Sequence, residues 1–396
     1  SNIIVGFGDG FEYGILADIS DSLQILHNNL EGFKEVGISF EASTNAVINN
    51  NRVIGADDGG LQSGIRNTSA NQYAQVNYNY VELLSEEHAH GLNKYGIIAH
   101  DSEIIGDTIF IFANGYNGTQ AYGIHSDRST IETNYIYMDG CGPDDYAILS
   151  YGEATSNHDI LGNTTESTYT CMGIGASYAN IKNNNLRNTF EGNPYSFPLY
   201  AIVSGDYNII ENNTISGFDS GIGLSDDWSN HVKDNDINVF NYGIYIDNSH
   251  GSHNIENNTL NKYMSVGNEL IYVINTDSVI VQGNHCQAIG GSGFYFDNTN
   301  VHMSYNLIVS PGTGVEFTNQ AEGSIINNTI ITLDNADYGV KVSHLSSPII
   351  RNNIIQGYAI GMQIDNNQIN MNITHNALWN ISDDEFSGVA LSPQIG

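Results

Sequence analysis

The stretch IIENNTISGFDSGIGL, residues 209–224, places two asparagines after an apolar pair and a Gly-Ile pair eight residues beyond Asn213. The same frame recurs along the chain. It reads ILHNNL at 25–30, VINNNRV at 47–53, IKNNNL at 181–186, IENNTL at 255–260, IINNTI at 325–330 and IIRNNII at 349–355. Fifteen copies anchor at Asn28, Asn51, Asn79, Asp107, Asn134, Asn163, Asn184, Asn213, Asn235, Asn258, Asn284, Asn306, Asn328, Asn353 and Asn376, spaced 21 to 29 residues apart. A second signature precedes each anchor, as in YGIIAH, YGIHSD, YAILSY, MGIGAS and YGIYID; only ELIYVI (269–274) lacks its small residue. Apolar and polar residues alternate within it, and a period of two means strand.

Short strands at this even spacing, with no helical period between them, fit neither βαβ units nor a sandwich. Each repeat is expected to be one turn of a solenoid, paired strand to strand with the next. The asparagine is expected at a bend, tolerating left-handed backbone and bonding its amide to its equivalent one turn above. The Gly before Ile is expected to supply the other tight bend.

On these repeats the chain resembles the right-handed parallel β-helix of the pectin-lyase-like superfamily, in its PbH1 or NosD-like form, over essentially all of residues 1–396. The resemblance implies an all-β, right-handed parallel β-helix of about fifteen coils with an internal asparagine ladder, as a single domain. Its members include polysaccharide lyases, glycoside hydrolases, epimerases, tailspikes and non-catalytic surface proteins. The fold therefore does not fix the function.

Composition narrows the partners. The net charge is −33, and its cause is scarcity of bases: 11 Lys plus Arg against 44 Asp plus Glu. Such a surface repels nucleic acid and anionic membrane, and an anionic polysaccharide would need a local basic patch or bridging cations. Three cysteines, Cys141, Cys171 and Cys286, make no framework and leave the redox compartment unread. No apolar run is long enough to span a membrane, and the residues from Ser1 onward do not read as a signal peptide. Both ends read as cut from mid-pattern, which suggests a piece of a longer extracellular or cell-surface protein.

Registering the signatures on their glycine maps the surface, with positions two and four outward. Over turns three to six this puts Arg66, His100, His125, Asp127 and Tyr151 on one patch. The loops after Asn51, Asn79, Asp107 and Asn134 lengthen beside it and carry Glu86, Glu87, His88, His90, Lys94, Asp139, Asp144 and Asp145. Long loops on one side of a repetitive scaffold are where binding concentrates.

The patch suits acid–base chemistry on a uronic acid, by β-elimination or C5 epimerisation. A histidine, His100 or His125, would be the base. Tyr151 would exchange a proton with the leaving oxygen, Arg66 would neutralise a carboxylate, and Asp127 would orient a histidine or hold a cation. Lys94, Asp144 and Asp145 would contact substrate. The set resembles what β-helix lyases and epimerases use in kind, although the DPH-type epimerase motif and the polygalacturonase signatures are absent.

Blander readings stand beside these. Thirteen histidines will sometimes stack by chance. A metal site of His88, His90, His100, His125 and Asp127 rests on weak spacing. Asp144/Asp145 and Asp226/Asp227 are adjacent and suit turns or calcium. Tyr245, Tyr272 and Tyr295 form either a sugar-stacking track or a stack that stiffens the sheet. The partner is expected to be a polysaccharide or surface glycan, with no required cofactor and calcium as an option. The rival class is a structural or adhesive rod that self-associates.

Overall fold

A computed structural model describes residues 3–5, 11–18, 20, 22–56, 62–67, 73–84, 93–113, 120–140, 142–154, 157–168, 170–189, 199–264, 268–334, 336–365 and 371–388. Every regular element among them is a β-strand. Contacts divide the chain into two compact units, Ser1–Val203 and Ser204–Gly396. Each is a right-handed parallel β-helix.

A turn in the first unit consists of Lys94–Ala99, Glu103–Ile105 and Thr108–Phe112; one in the second consists of Ser220–Ser225, His231–Lys233 and Asp236–Val239. Each strand pairs in parallel with its equivalent one repeat on. Ile104 stands between Val76 and Ile131 in the first unit, and Ile222 opposite Ile244 in the second. Inward positions are columns of buried aliphatics. Ile65, Ile97, Ile124, Ile148 and Ile174 are all fully buried, as are Ile222 and Ile244. Period-two patterning thus becomes a core one side chain deep per coil.

The two asparagines of the frame do different work. The first holds left-handed backbone: Asn50, Asn183, Asn212, Asn257, Asn327 and Asn352 have φ between 54° and 59°. The second is buried. In the first unit Asn28, Asn51 and Asn79 each donate both backbone N–H and Nδ2 to the side-chain Oδ1 of the next anchor, at 2.6 to 3.0 Å. In the second unit the column runs from Asn213 through Asn235, Asn258, Asn284, Asn306, Asn328 and Asn353 to Asn376. The anchor asparagine was expected to take the left-handed conformation itself. Its predecessor does, which frees the anchor's amide to face inward.

The glycine of the signature is likewise not a bend. Gly96 and Gly123 are absent from the positive-φ residues and lie within strands. A Cβ on Gly123 would lie 2.4 Å from the Ala147 carbonyl oxygen and 2.5 Å from Ile136 Cγ2. The position is set by crowding between adjacent coils, not by backbone freedom.

Candidate active site

Four parallel strands of the first unit carry the outward patch: Gln62–Asn67, Lys94–Ala99, Ala121–Asp127 and Tyr146–Tyr151. Their register pairs Arg66 with Ile98, Ile98 with His125, His125 with Leu149 and Asp127 with Tyr151. His100 follows the end of Lys94–Ala99, and its Nδ1 lies 3.2 Å from Asp127 Oδ2. The His100 and His125 rings meet edge to face at 5.9 Å. Residues far apart in the chain become lateral neighbours because each repeat advances one strand spacing.

His100 Nδ1 also lies 3.1 Å from the Asp127 backbone N–H. One nitrogen cannot accept from that N–H and donate to the carboxylate together. With a hydrogen on Nδ1 the ring donates to the Asp127 carboxylate; without one it accepts the backbone N–H.

The three flanking groups are tuned in different directions. The hydrogen bond from His100 holds the Asp127 carboxyl below its ordinary range. Burial, with the neighbouring His100 charge, lowers His125. Burial, followed by the Asp127 charge, raises the Tyr151 phenol. Near neutral pH the cluster presents a neutral imidazole, a carboxylate and a protonated phenol, which is the pairing general acid–base catalysis needs.

Tyrosines that precede the signature's small residue, Gly96, Gly123 and Ala147, wall the cluster. Tyr122 lies 5.3 Å and Tyr95 6.4 Å from the His125 ring, and Tyr122 stacks on Tyr146 at 6.2 Å. Burial pushes the Tyr122 and Tyr146 phenols up to about 12. The recurring Tyr of YGI and YAI is the sequence signal for this wall, at a position outside the two outward columns.

The other expected residues divide. Arg66 is one ladder position beyond Ile98 and lies 3.6 Å from Glu41. Lys94 is buried, donating to Gln62 Oε1 at 2.8 Å and the Leu84 carbonyl at 2.6 Å, so it braces the interior and does not meet substrate. Asp145 is also buried. It accepts the backbone N–H groups of Ala121 and Gly142 at 2.7 and 2.6 Å, and burial raises it to about 6. It staples a turn, and Asp144 alone of that pair is exposed. In the second unit, Asp227 is also buried, accepting the Ser249 hydroxyl at 2.7 Å and Asn230 Nδ2 at 2.6 Å.

Tyr245, Tyr272 and Tyr295 in the second unit stack at 5.3 and 4.9 Å with planes within 5°. Parallel rings this close cover the faces between them, so a sugar alongside this column would meet ring edges.

Glu86, Glu87, His88 and His90 lie outside the described residues, as do 57–61 and 114–119. Among the described residues no group of three His, Cys, Asp or Glu side chains is placed to hold a metal ion. No helix there is long and apolar enough to cross a membrane.

Residues 261–392 match the family model described as right handed beta helix region. No curated protein matches the chain. Among solved structures, the periplasmic alginate epimerase AlgG is similar at 13% identity and TM-score 0.36, covering 81% of this chain and 76% of its own. The surface protein and adhesin PfbA of Streptococcus pneumoniae is similar at 12% identity and TM-score 0.37, covering 94% and 91%. The A-module of the Azotobacter vinelandii mannuronan C-5 epimerase AlgE4 is similar at 10% identity and TM-score 0.30, covering 95% and 91%.

Proposed function

We propose that the first unit binds a polysaccharide across the outward face of these strands and processes it by acid–base chemistry. The observation that carries this is the convergence of His100, His125, Asp127 and Tyr151 from successive coils, with proton affinities displaced in different directions. Neutral His125 removes the proton from C5 of a uronic acid unit. In elimination, the C4–O bond breaks as the C4–C5 double bond forms, and Tyr151 gives its proton to the departing oxygen. In epimerisation, Tyr151 returns a proton to the opposite face of C5. Asp127 fixes His100 and steadies positive charge on the imidazoles. Arg66 faces the substrate carboxylate, and no cofactor enters the step. A calcium requirement would mean that a bridging cation, not Arg66, neutralises that carboxylate.

A non-catalytic adhesive role is the second reading. It is favoured by the cations around the patch being already neutralised: Arg66 by Glu41, and Arg128 by Asp101 at 2.6 Å and Glu153 at 2.7 Å. Both readings place the protein outside the cell or on its surface. Cys171 is disulfide-bonded, which fits an oxidising compartment.

The test is incubation with alginate, polygalacturonate and other uronate polymers, with and without calcium. Unsaturated product is followed by ultraviolet absorbance and epimerised product by proton NMR. His125→Ala is expected to lower turnover by roughly 10² to 10⁴-fold. Activity in the wild type should fall on the acid side through an apparent pKa below the ordinary 6.5 of imidazole, because the base must be unprotonated. No turnover of any polymer, with binding retained, would leave the adhesive reading standing.

A further inference from the structure

We infer a second carbohydrate-binding surface on the first unit: an aromatic platform built by the strands that follow the ladder anchors, taking a neutral glycan chain. It is independent of the His–Asp–Tyr cluster. The strands Tyr80–Leu83, Thr108–Phe112, Tyr135–Asp139 and Thr164–Ser167 run parallel in register, with alternate residues pointing outward. Outward positions bring Tyr80, Phe110, Phe112, Tyr135 and Tyr137 together. Phe110 is the hub, with centroids 5.6 Å from Tyr80, 5.9 Å from Tyr135 and 6.0 Å from Tyr137; Tyr137 lies 5.8 Å from Phe112.

Ring orientation separates this surface from the tyrosine column of the second unit. Here the interplanar angles are 42° to 58°, so the rings do not cover one another. All five are half-buried, so part of each side chain is left to solvent. A contiguous patch of this kind on a polar surface marks a binding site. The successive rings advance at the strand spacing of about 4.8 Å, close to the rise of one hexose along an extended glycan. The C–H face of a pyranose packs on such rings while its hydroxyls seek acceptors.

Those acceptors surround the rings. Glu82 accepts the Tyr80 hydroxyl at 2.9 Å, Glu166 accepts the Tyr135 hydroxyl at 3.1 Å, and Asp139 bonds Thr168. Arg52 at one end lies 5.8 Å over Tyr80 and is paired with Glu31. Three carboxylates among the rings repel a uronate polymer and favour a neutral sugar, whose hydroxyls donate to them. This charge pattern selects the occupant, and it differs from the occupant proposed for the acid–base cluster.

The test measures binding of cellohexaose, laminarihexaose and chitohexaose to the whole chain by calorimetry, with polygalacturonate as the anionic comparison. At least one neutral hexasaccharide is expected to bind, and Phe110→Ala and Tyr137→Ala each to weaken it tenfold or more. Glu166→Gln keeps the shape and should weaken binding less. His125→Ala should leave it unchanged, which separates this surface from the acid–base cluster. Circular dichroism of Phe110→Ala must match the wild type; Tyr137→Ala, at the platform's other side, serves if it does not. The inference is overturned if no neutral hexasaccharide binds at millimolar concentration. It is equally overturned if binding survives both aromatic substitutions, if polygalacturonate binds there more tightly, or if the substitutions abolish only self-association.

Discussion

Asn258→Ala is expected to destabilise the second unit by about 3 kcal/mol or more, whereas Asn257→Gly should change stability by no more than about 0.5 kcal/mol. The two residues are adjacent and chemically identical. Asn258 Oδ1 accepts the Asn235 backbone N–H at 3.0 Å and Asn235 Nδ2 at 2.9 Å, and its own Nδ2 donates to the Val232 carbonyl at 3.0 Å and to Asn284 Oδ1 at 3.0 Å. Alanine removes all of these from a fully buried site. The Asn235 N–H loses its acceptor and the Val232 carbonyl loses a donor, at about 1–3 kcal/mol for each group left unpaired, and a cavity adds to the cost. Asn257 contributes its φ of 54°, which glycine adopts freely. Hydrogen exchange checks the contrast best, because long repeat arrays need not unfold in one step. Asn258→Ala should speed exchange in the coils around 232–237 and 281–286. Equal effects from both substitutions would mean that the pair shares one role.

Asp107→Asn is expected to stabilise the first unit at neutral pH by about 2 kcal/mol or more. Asp107 is the one anchor of the fifteen that is not asparagine. Its Oδ1 accepts from Asn79 as the ladder requires, at 2.6 and 2.9 Å, but its buried Oδ2 has no partner. In the neighbouring rung the atom in this place is Nδ2 of Asn134, which donates to the Ile104 carbonyl and to Asn163 Oδ1. The site therefore wants a donor, and a carboxylic acid supplies one only when protonated. Burial accordingly raises the Asp107 carboxyl well above its ordinary 3.8, against the hydrogen bonds from Asn79, which lower it.

The sign follows from which state ionises first. Below about pH 4 both folded and unfolded chains hold the proton and the contribution is fully present. As pH rises, the unfolded chain releases its proton while the folded one retains it, at about 1.4 kcal/mol of lost stability per pH unit until the folded group ionises. The wild type should thus lose stability from pH 4 upward relative to Asp107→Asn, and the two should converge at acid pH. Thermal melts across that range check it. A pH-independent difference would mean that Asp107 is already ionised in the fold.

The coil, its strand register and the outward patch were legible because side-chain period and repeat length are sequence quantities. Ile98 between Arg66 and His125, and Asp127 beside Tyr151, follow from counting alone. What counting cannot supply is the direction of a side chain at a strand's start or in the turn before it. Lys94 and Asp145 read as loop ligands, yet both turn inward, Lys94 to Gln62 and the Leu84 carbonyl and Asp145 to two backbone N–H groups, since a buried polar group needs partners. Ring orientation is also invisible in sequence, which is why Tyr245, Tyr272 and Tyr295 admitted two readings. The aromatic platform was present as YVEL, TIFIF and YIYMD. The glycine of the signature marks only one strand of each repeat, and these strands are not the ones it marks.

The most direct test of the acid–base cluster is a pH titration of the wild type labelled at histidine, followed by NMR, with and without uronate polymer. His125 should titrate below the ordinary imidazole range. It should move lower still in Asp127→Asn, because the Asp127 charge opposes the shift, and its resonance should respond to polymer. An ordinary titration of His125, indifferent both to Asp127→Asn and to every polymer, would contradict the account.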